Sequence, residues 1–312
     1  MDEFALIKQY FASVGHRRGV DIGVGDDAAV ISARSAESWV VATDTLVAGV
    51  HFPESEPADA IGYRAVAVNV SDLAAMAAQP RYCTLALTVP NGDPAWFELF
   101  IQGFTEAAEA GDLALIGGDT TRGPMSISIT VIGSGDPAML TRRSDAAVGD
   151  ELLVSGCLGD AAAGLTLLLG DGSPSVHAER LVQRFRRPPN RVALAAAVAA
   201  LTGAAIDVSD GLVADAGHIA AASQLAIDID ANRIPLSADL LAVYERDAAL
   251  SLALTGGDDY ELLVTAPSAA VGALQNAGFT SIGRCLAGSG VTVNGKALVG
   301  ADGYKHFGHA TG

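Results

Sequence analysis

Residues 113–120 read Leu-Ala-Leu-Ile-Gly-Gly-Asp-Thr, a short apolar run that leads straight into a glycine pair and an aspartate. The apolar part predicts a buried strand over residues 113–116, and the two glycines favour a tight turn after it. A short carboxylate on such a turn is a ligand that hard cations such as Mg²⁺ prefer. The stretch therefore predicts a strand that ends at an acidic turn, with Asp119 as a candidate metal ligand.

Four more acidic turns occur along the chain. They are Gly25-Asp26-Asp27-Ala28, Thr43-Asp44-Thr45, Val70-Ser71-Asp72-Leu73 and Ile206-Asp207-Val208-Ser209-Asp210-Gly211. Taken singly, each is typical of an ordinary turn or of a cap on the helix that follows. Their recurrence at predicted strand ends favours a site, because open sheets build their sites there. Several converging carboxylates repel one another unless cations lie between them.

Helical and strand patterns follow one another irregularly in both halves of the chain. The main predicted elements are helices over 60–77 and 94–110 and strands over 39–46, 81–89, 126–132, 151–155, 205–208 and 260–266. This order lacks strict alternation of strand and helix and predicts an α+β fold of the α/β sandwich type. A Gly- and Pro-containing connection at 135–150 separates two expected domains, residues 1–137 and 148–312.

Composition limits the partners and the surroundings of the chain. Half of the 312 residues are hydrophobic, which excludes a disordered chain, and the net charge of −17 argues against a nucleic-acid-binding surface. We find neither a signal-peptide pattern nor an apolar run long enough to cross a membrane. Cys83, Cys157 and Cys285 match no metal or redox spacing, so we expect a cytoplasmic protein with reduced thiols that binds neither nucleic acid nor membrane.

The numbers of acidic residues and of lysines limit how this chain could neutralise the charge of a nucleotide. Asp outnumbers Glu by 25 to 11, whereas the only lysines are Lys8, Lys296 and Lys305. The chain has no Gly-x-x-x-x-Gly-Lys-Ser/Thr loop. If the protein binds a nucleotide, metal ions and arginines rather than a loop lysine must neutralise the phosphates.

Six stretches of the chain resemble thiamine-monophosphate kinase, a family of the aminoimidazole ribonucleotide synthetase-like superfamily. Their order and spacing are those of the family, and the resemblance extends from the N-terminal helix to the tail at Gly303-Tyr304-Lys305-His306-Phe307. The stretches are residues 24–29 (VGDDAA), 42–52 (ATDTLVAGVHF), 67–76 (AVNVSDLAAM), 115–124 (LIGGDTTRGP), 206–212 (IDVSDGL) and 256–262 (GGDDYEL). The second of them is the part most specific to the kinase.

The resemblance implies a Mg²⁺-dependent enzyme and assigns roles to individual residues. The magnesium ligands and catalytic carboxylates are Asp27, Asp44, Asp72, Asp119, Asp207 and Asp210, joined as metal ligands by Thr43 and by Ala42. The ATP-binding residues are Gly118, Asp119, Arg143 and Ser209, with Arg142 as the alternative to Arg143. The residues that line the thiamine monophosphate pocket are His51, Asp258 and Tyr304.

Two positions depart from the family pattern. The family commonly has Ser where this chain has Ala42, so a backbone carbonyl or a water must substitute for the missing hydroxyl. It also commonly has Glu at the position of Asp258, which keeps the carboxylate but shortens its reach by one methylene. From the residues alone, we would interpret His51 as a loop histidine, Tyr304 as a core aromatic and Arg143 as a solvated charge; the resemblance favours the functional roles instead.

The implied reaction is ATP + thiamine phosphate = ADP + thiamine diphosphate, the final step of thiamine diphosphate biosynthesis. Direct in-line attack by a phosphate oxygen needs no strong base, and several Mg²⁺ ions would counter the repulsion between two anions. The family also implies a homodimer formed through the N-terminal domains. Alternatives are another ATP-using enzyme of the superfamily and a nucleotide-binding protein without activity; the cysteine positions do not match selenophosphate synthetase or the hydrogenase-maturation relative.

Overall fold

A computed structural model of the chain describes residues 20–22, 30–31, 37–170 and 174–297. The chain divides into two compact units, Met1–Leu140 and Thr141–Gly312. Each unit combines a sheet with helices in irregular order, which confirms the α+β class expected from the sequence. Among the described residues, no helix has both the length and the apolar character that a membrane span requires.

The first unit is a four-stranded sheet with two helices on one face. Its elements are β1 (Val20–Ile22), β2 (Val30–Ile31), β3 (Ser38–Val47), α1 (Ala58–Ala75), β4 (Gln79–Val89), α2 (Pro94–Ala110), β5 (Ala114–Arg122) and β6 (Ser126–Gly135). The four-stranded sheet has the order β3-β6-β4-β5, with β4 and β5 parallel and the other neighbours antiparallel, while β1 and β2 form a separate antiparallel pair.

Small and aromatic residues explain how the two helices pack together. In α2, Phe97, Phe100 and Phe104 are fully buried at helical spacing and form one apolar face. Where the helices cross, a Cβ on Gly62 would overlap the carbonyl oxygen of Phe100, and one on Gly103 would overlap the carbonyl oxygen of residue 59. The crossing therefore depends on glycine in both helices, because any side chain would force the two main chains apart.

The other face of this sheet is exposed along β3, and this exposed part is called the open face; Tyr82 on β4 and Ala114 on β5, in the same row as Val41, are buried. Along β3, Trp39, Val41, Thr43 and Thr45 are exposed and alternate with more buried residues. This alternation is typical of a strand with only one covered face. The open face places threonines and exposed apolar side chains side by side.

The second unit is built around a six-stranded sheet. Its elements are β7 (Glu151–Ser155), α3 (Asp160–Leu169), α4 (Val176–Arg186), α5 (Val192–Val198), β8 (Ala205–Asp207), α6 (Leu212–Ser223), β9 (Ala226–Ile229), α7 (Ala238–Val243), α8 (Arg246–Thr255), β10 (Leu262–Ala266), α9 (Val271–Asn276), β11 (Phe279–Leu286) and β12 (Gly290–Val293). The strand order is β12-β9-β11-β7-β10-β8, antiparallel except for the parallel pair β12 and β9.

Several stretches that were expected to be turns lie inside regular elements. Thr43-Asp44-Thr45 belongs to the middle of β3, and Gly117-Gly118-Asp119 belongs to β5, which continues to Arg122 instead of ending at residue 116. Ser71 and Asp72 lie in the last turns of α1, so the interpretation of either as the cap of a following helix is wrong. The first two stretches are strands although their residues favour turns, because neighbouring strands satisfy their main-chain hydrogen bonds.

Candidate functional site

The predicted site residues are distributed over both units. Asp27 and Tyr304 lie outside the described residues, so their roles stay predictions. The remaining predicted residues fall into two groups in the first unit and one main group in the second. Each group is held by a specific local structure.

Gly118 and Asp119 lie on β5 directly after an irregularity in the strand. Cys83 pairs with Leu115 and Thr84 pairs with Gly117, so Ile116 is an extra residue that bulges out of the ladder. Gly118 has a φ of +154°, and a Cβ at this position would overlap the carbonyl oxygen of Leu85 on β4. Only glycine fits here. The bulge changes the direction of the strand, and Gly118 and Asp119 after it are exposed.

A buried asparagine of α1 binds the main chain of β3 at Asp44. The side chain of Asn69 in α1 accepts a hydrogen bond from the backbone N–H of Asp44 at 2.9 Å and donates one to the carbonyl of Ala65 at 2.9 Å. Asn69 is fully buried, so both bonds are protected from water. Asp72 follows Asn69 by three residues, which places both on the same side of the helix. The hydrogen bond thus joins α1 to β3 at the predicted ligand Asp44.

Thr43 and Ala42 flank Asp44 on β3. The hydroxyl of Thr43 is exposed and lies 2.9 Å from the hydroxyl of Thr130 on β6. Ala42 is half-buried and offers a ligand only its main-chain atoms. The two residues keep their predicted roles as expectations.

His51 lies in the turn that follows β3. Its Nδ1 accepts a hydrogen bond from the backbone N–H of Val47 at 2.9 Å. An acceptor nitrogen carries no proton, so the neutral ring carries its proton on Nε2. Gly49, with a φ of +75°, allows the turn to fold back so that this bond can form. The ring is therefore fixed in one tautomer with a donor on its other nitrogen.

The two groups of the first unit lie at opposite edges of the sheet. Asp44, Ile129, Leu85 and Gly118 pair in one row across β3, β6, β4 and β5. Three strand spacings separate the ends of this row, which amounts to about 14 Å. Two oxygens bound to one Mg²⁺ lie at most about 4 Å apart. The Asp44 group and the Gly118–Asp119 group are therefore better suited to separate ions than to one shared ion.

In the second unit, Asp207, Ser209 and Asp210 lie where β8 turns into α6. Asp207 ends β8 and is buried, whereas Ser209 and Asp210 are half-buried. Gly211, with a φ of +114°, precedes the first residue of α6. The two residues expected as possible helix caps, Ser209 and Asp210, do not cap α6. Their side chains are available for another role.

Asp215 of α6 binds the main chain of this turn. Its Oδ2 accepts hydrogen bonds from the N–H groups of Ser209, Asp210 and Gly211 at 3.0, 3.1 and 3.1 Å. Burial of the carboxyl, together with the charges of Asp207 and Asp210, raises the pKa of Asp215 to about 8. Ligand atoms of Asp210, Asp215 and His218 lie within 4.8 Å of one another. The turn thus concentrates negative charge that a cation would relieve.

A strained segment, Gly256–Tyr260, packs against the same turn. Asp258 and Tyr260 have φ values of +73° and +50°, which are unusual for residues with side chains. The N–H of Asp258 donates to the carbonyl of Ser209 at 2.9 Å, and a Cβ on Gly257 would overlap that carbonyl oxygen. The structure therefore places the predicted substrate residue Asp258 next to the predicted ATP residue Ser209. Strain of this kind concentrates at functional sites.

Arg143 lies away from this group within the second unit. Its carbonyl accepts a hydrogen bond from the hydroxyl of Ser223 at 2.8 Å, at the end of α6. Ser209 precedes the start of α6, and a helix of 12 residues is about 18 Å long. Arg142, the alternative, pairs through its main chain with Ala204 at the start of β8. The structure does not bring either arginine to Ser209 within this unit, and the role of Arg143 stays a prediction.

The sequence interpretation missed three residues that support the site. Besides Asn69 and Asp215, it missed Glu261, which follows the strained segment. Glu261 is fully buried and binds Arg191 through two bonds of 2.6 Å, with Arg184 at 2.9 Å. For Asp215 the signal was present, because an acidic residue in the first turn of a helix often binds free N–H groups. For Asn69 and Glu261, the partners lie too far away in the sequence for a local pattern to indicate them.

The first unit matches a known domain family. Residues 25–134 match the N-terminal domain of AIR synthase related protein. Thiamine-monophosphate kinase of Escherichia coli (strain K12) is 41% identical over 325 residues, which cover 98% of this chain and 98% of that protein.

Two solved structures share the fold of the whole chain. The crystal structure of thiamine-monophosphate kinase from Stenotrophomonas maltophilia K279a has a TM-score of 0.89 and 45% identity, covering 96% of this chain and 98% of that one. AaThiL complexed with AMPPCP and TMP has a TM-score of 0.82 and 33% identity, covering 98% and 97%. Identity at this level along nearly the full length, on the same fold, shows that the chain is an enzyme of the thiamine-monophosphate kinase family.

Proposed function

We propose that this chain transfers the γ-phosphoryl group of ATP directly to thiamine monophosphate, giving ADP and thiamine diphosphate, at a site that holds several Mg²⁺ ions. The relatives named above are thiamine-monophosphate kinases, and one of them is complexed with AMPPCP and TMP. AMPPCP stands in for ATP. These ligands are expected to be those of this chain as well.

The observation that carries the proposal is the acidic turn between β8 and α6. Asp207 and Asp210 lie close enough to Asp215 for their charges to raise its pKa, and ligand atoms of Asp210 and Asp215 approach within 4.8 Å. Buried like charges destabilise a fold unless a cation or a proton compensates. The turn is therefore a binding place for positive charge, which a metal-bound nucleotide would bring.

The donor set fits magnesium. Asp44, Asp72, Asp119, Asp207 and Asp210 all offer carboxylate oxygens, the ligands that Mg²⁺ prefers, and Asp27 would add another. The width of the sheet between the Asp44 group and Asp119 supports more than one ion. Bound Mg²⁺ would neutralise the phosphates of ATP and the charge of the group in transfer.

The remaining residues position the two substrates. Gly118 allows the main chain of β5 to lie against the nucleotide without a side chain between them, and Ser209 would donate its hydroxyl to a phosphate. The Nε2–H of His51 and the carboxylate of Asp258 would bind thiamine monophosphate, with Tyr304 completing the pocket, and Arg143 would bind ATP. No residue needs to act as a strong base, because the attacking phosphate oxygen is already anionic near neutral pH.

The proposal includes a homodimer and a cytoplasmic location. The open face of the first unit's sheet presents Trp39 and Val41 as exposed apolar side chains, which supports an interface between N-terminal domains. Cys83, Cys157 and Cys285 are free thiols, which supports a reducing compartment.

The test is a two-product assay. Purified protein is incubated with ATP, Mg²⁺ and thiamine monophosphate, and ADP and thiamine diphosphate are separated by chromatography. We expect equal amounts of the two products, lost without Mg²⁺ and in Asp119→Asn. Asp112→Asn is the matched control, because Asp112 is exposed in the same unit and its φ of +55° suits Asn.

A nucleotide-binding protein without activity is the alternative that this assay separates. It predicts that the folded protein binds Mg·ATP but forms no thiamine diphosphate. That result would overturn the kinase proposal, and other substrates of the superfamily would then be tested.

A further inference from the structure

Three consecutive N–H groups of one turn converge on a single side-chain oxygen. The backbone nitrogens of Ser209, Asp210 and Gly211 lie 3.0, 3.1 and 3.1 Å from Oδ2 of Asp215. Asp215 is almost completely buried, so water does not compete for these bonds.

This arrangement engages the three N–H groups that directly precede α6. Free N–H groups at the start of a helix are a usual binding place for phosphate. The N–H groups of Ser209, Asp210 and Gly211 point instead at the side chain of Asp215, and these three are not available to a ligand. We therefore expect a ligand at this turn to contact the side chains of Asp207, Ser209 and Asp210.

The turn is held from its other side as well. The carbonyl of Ser209 accepts the N–H of Asp258 at 2.9 Å, and Gly257 passes so close that a Cβ would overlap the same oxygen. The N–H groups of the turn thus face Asp215, whereas the carbonyl of Ser209 faces the strained segment. Because both the N–H groups and the carbonyl of the turn are hydrogen-bonded, the main chain that carries the side chains of Ser209 and Asp210 is held in one position.

We propose that Asp215 is a positioning residue, which fixes the Ser209–Gly211 turn so that its side chains meet the metal-bound nucleotide without binding the nucleotide itself. This inference rests on the proposed kinase function, because it takes Ser209 and Asp210 to be the groups that bind. It assigns to Asp215 an effect on nucleotide and Mg²⁺ affinity that a simple helix cap would not have.

Two substitutions distinguish the loss of the hydrogen-bond acceptor at position 215 from the loss of its ionisable carboxyl group. Asp215→Ala removes the acceptor and leaves three N–H groups without it, whereas Asp215→Asn keeps one oxygen that can take its place. Asp150→Ala is the matched control. Asp150 is also a buried carboxylate that accepts a main-chain N–H, from Ala147 at 2.9 Å. Asp150 precedes Glu151, which pairs with the end of β10, whereas Asp207 pairs with the beginning of β10. Asp150 and Asp207 therefore lie at opposite ends of that strand.

The measurements are the steady-state constants, the Mg²⁺ concentration that gives half-maximal activity, ATP affinity by calorimetry and the unfolding temperature. For Asp215→Ala we expect the KM for ATP and the half-saturating Mg²⁺ concentration to rise at least tenfold, with the KM for thiamine monophosphate changed less than about threefold. Asp215→Asn should return both values to within about threefold of the wild type. Asp150→Ala should lower the unfolding temperature without changing either value.

The inference is overturned if Asp215→Ala lowers only the unfolding temperature, as Asp150→Ala does, or if Asp215→Asn is as defective as Asp215→Ala. Should the alanine variant fail to fold, Asp215→Glu replaces it, because Glu keeps the charge but moves the oxygen by one methylene, and we expect the same tenfold loss. The calorimetric affinity for Mg·ATP tests the role of Asp215 even if the wild type forms no thiamine diphosphate. Failure of the kinase proposal and failure of this inference are thus separate results.

Discussion

Gly118 is the residue at which the fold leaves no room for a side chain. A Cβ there would overlap the carbonyl oxygen of Leu85, and the φ of +154° is unfavourable for any residue but glycine. Gly118→Ala should therefore push β5 away from β4, lower the free energy of unfolding by about 1–3 kcal/mol or more, and abolish Mg·ATP binding. Calorimetric titration with Mg·ATP and urea unfolding measure the two effects.

The neighbouring glycine is the control for this prediction. A Cβ on Gly117 would have no neighbour within 4 Å, and its φ is not in the left-handed region. Gly117→Ala should bind Mg·ATP like the wild type and unfold at nearly the same urea concentration. Equal losses in the two variants would show that the close approach to Leu85 is not the cause.

Asp259 should make the stability of the protein depend on pH. Its side chain is buried and accepts the N–H groups of Gly159 and Ala161, and burial raises its pKa from 3.8 to about 7. Because the folded pKa lies above the unfolded one, the stabilising contribution is complete below pH 3.8 and is lost as the pH rises to 7. Over that range the loss is on the order of a few kcal/mol.

Asp259→Asn tests this effect directly. Asn does not ionise, so its free energy of unfolding should fall less between pH 5 and pH 7 than that of the wild type. Urea unfolding at both values, without Mg²⁺, gives the comparison. Parallel decreases in the two proteins would assign the dependence to other buried carboxyls, such as Asp160.

Single residues of the site could be predicted only where the motif is contiguous in the sequence. Ser209 and Asp210 stand beside Asp207 in one short motif, and the structure places them in one turn. Asn69 supports a residue 25 positions earlier, and Arg191 binds a residue 70 positions later. Nothing in the local sequence around either residue indicates its partner, because only the tertiary fold brings the pairs together.

At the scale of elements, the crossing of α1 and α2 is the most sensitive contact of the first unit. Gly103 allows α2 to lie against the carbonyl oxygen of residue 59 in α1. Gly103→Ala should separate the helices and destabilise the protein by about 1–3 kcal/mol, although alanine favours helices more than glycine does. Thermal or urea unfolding measures the change. Gly92→Ala is the control, because its Cβ would have no neighbour within 4 Å, and a comparable loss there would contradict the prediction.

Element boundaries were predicted well where local chemistry sets them. The helix expected over 94–110 is α2, Pro94–Ala110, because Asp93 accepts the N–H of Ala95 and Pro94 takes the first helical position. The strand expected from residue 260 begins instead at Leu262, because Tyr260 has a φ of +50°. The strand expected to end at residue 116 continues through the bulge to Arg122. Contacts distant in sequence, which a local pattern does not contain, determine both exceptions.

At the scale of the molecule, the mixed fold class could be predicted, but the strand order could not. The second sheet places β7, the first strand of its unit, between β11 and β10. Asn294 and Gly295 form a turn with φ values of +51° and +73°, yet β12 before it pairs in parallel with β9. Side-chain alternation shows that a strand has a covered face, but it does not identify the neighbouring strand.

The proposed homodimer can be tested on the open face of the first sheet. Val41 is 61% exposed there and lies two residues from exposed Trp39, so Val41→Glu would place a charge within the proposed interface. We expect light scattering after gel filtration to give twice the 31.6 kDa chain mass for the wild type and the single-chain mass for Val41→Glu. Leu99→Glu is the matched control, because Leu99 is 48% exposed on α2, which packs against α1, the helix that covers the opposite face of the sheet. If the interface lies on the open face, Leu99→Glu stays dimeric; dissociation by Leu99→Glu alone would place the interface on the helices instead.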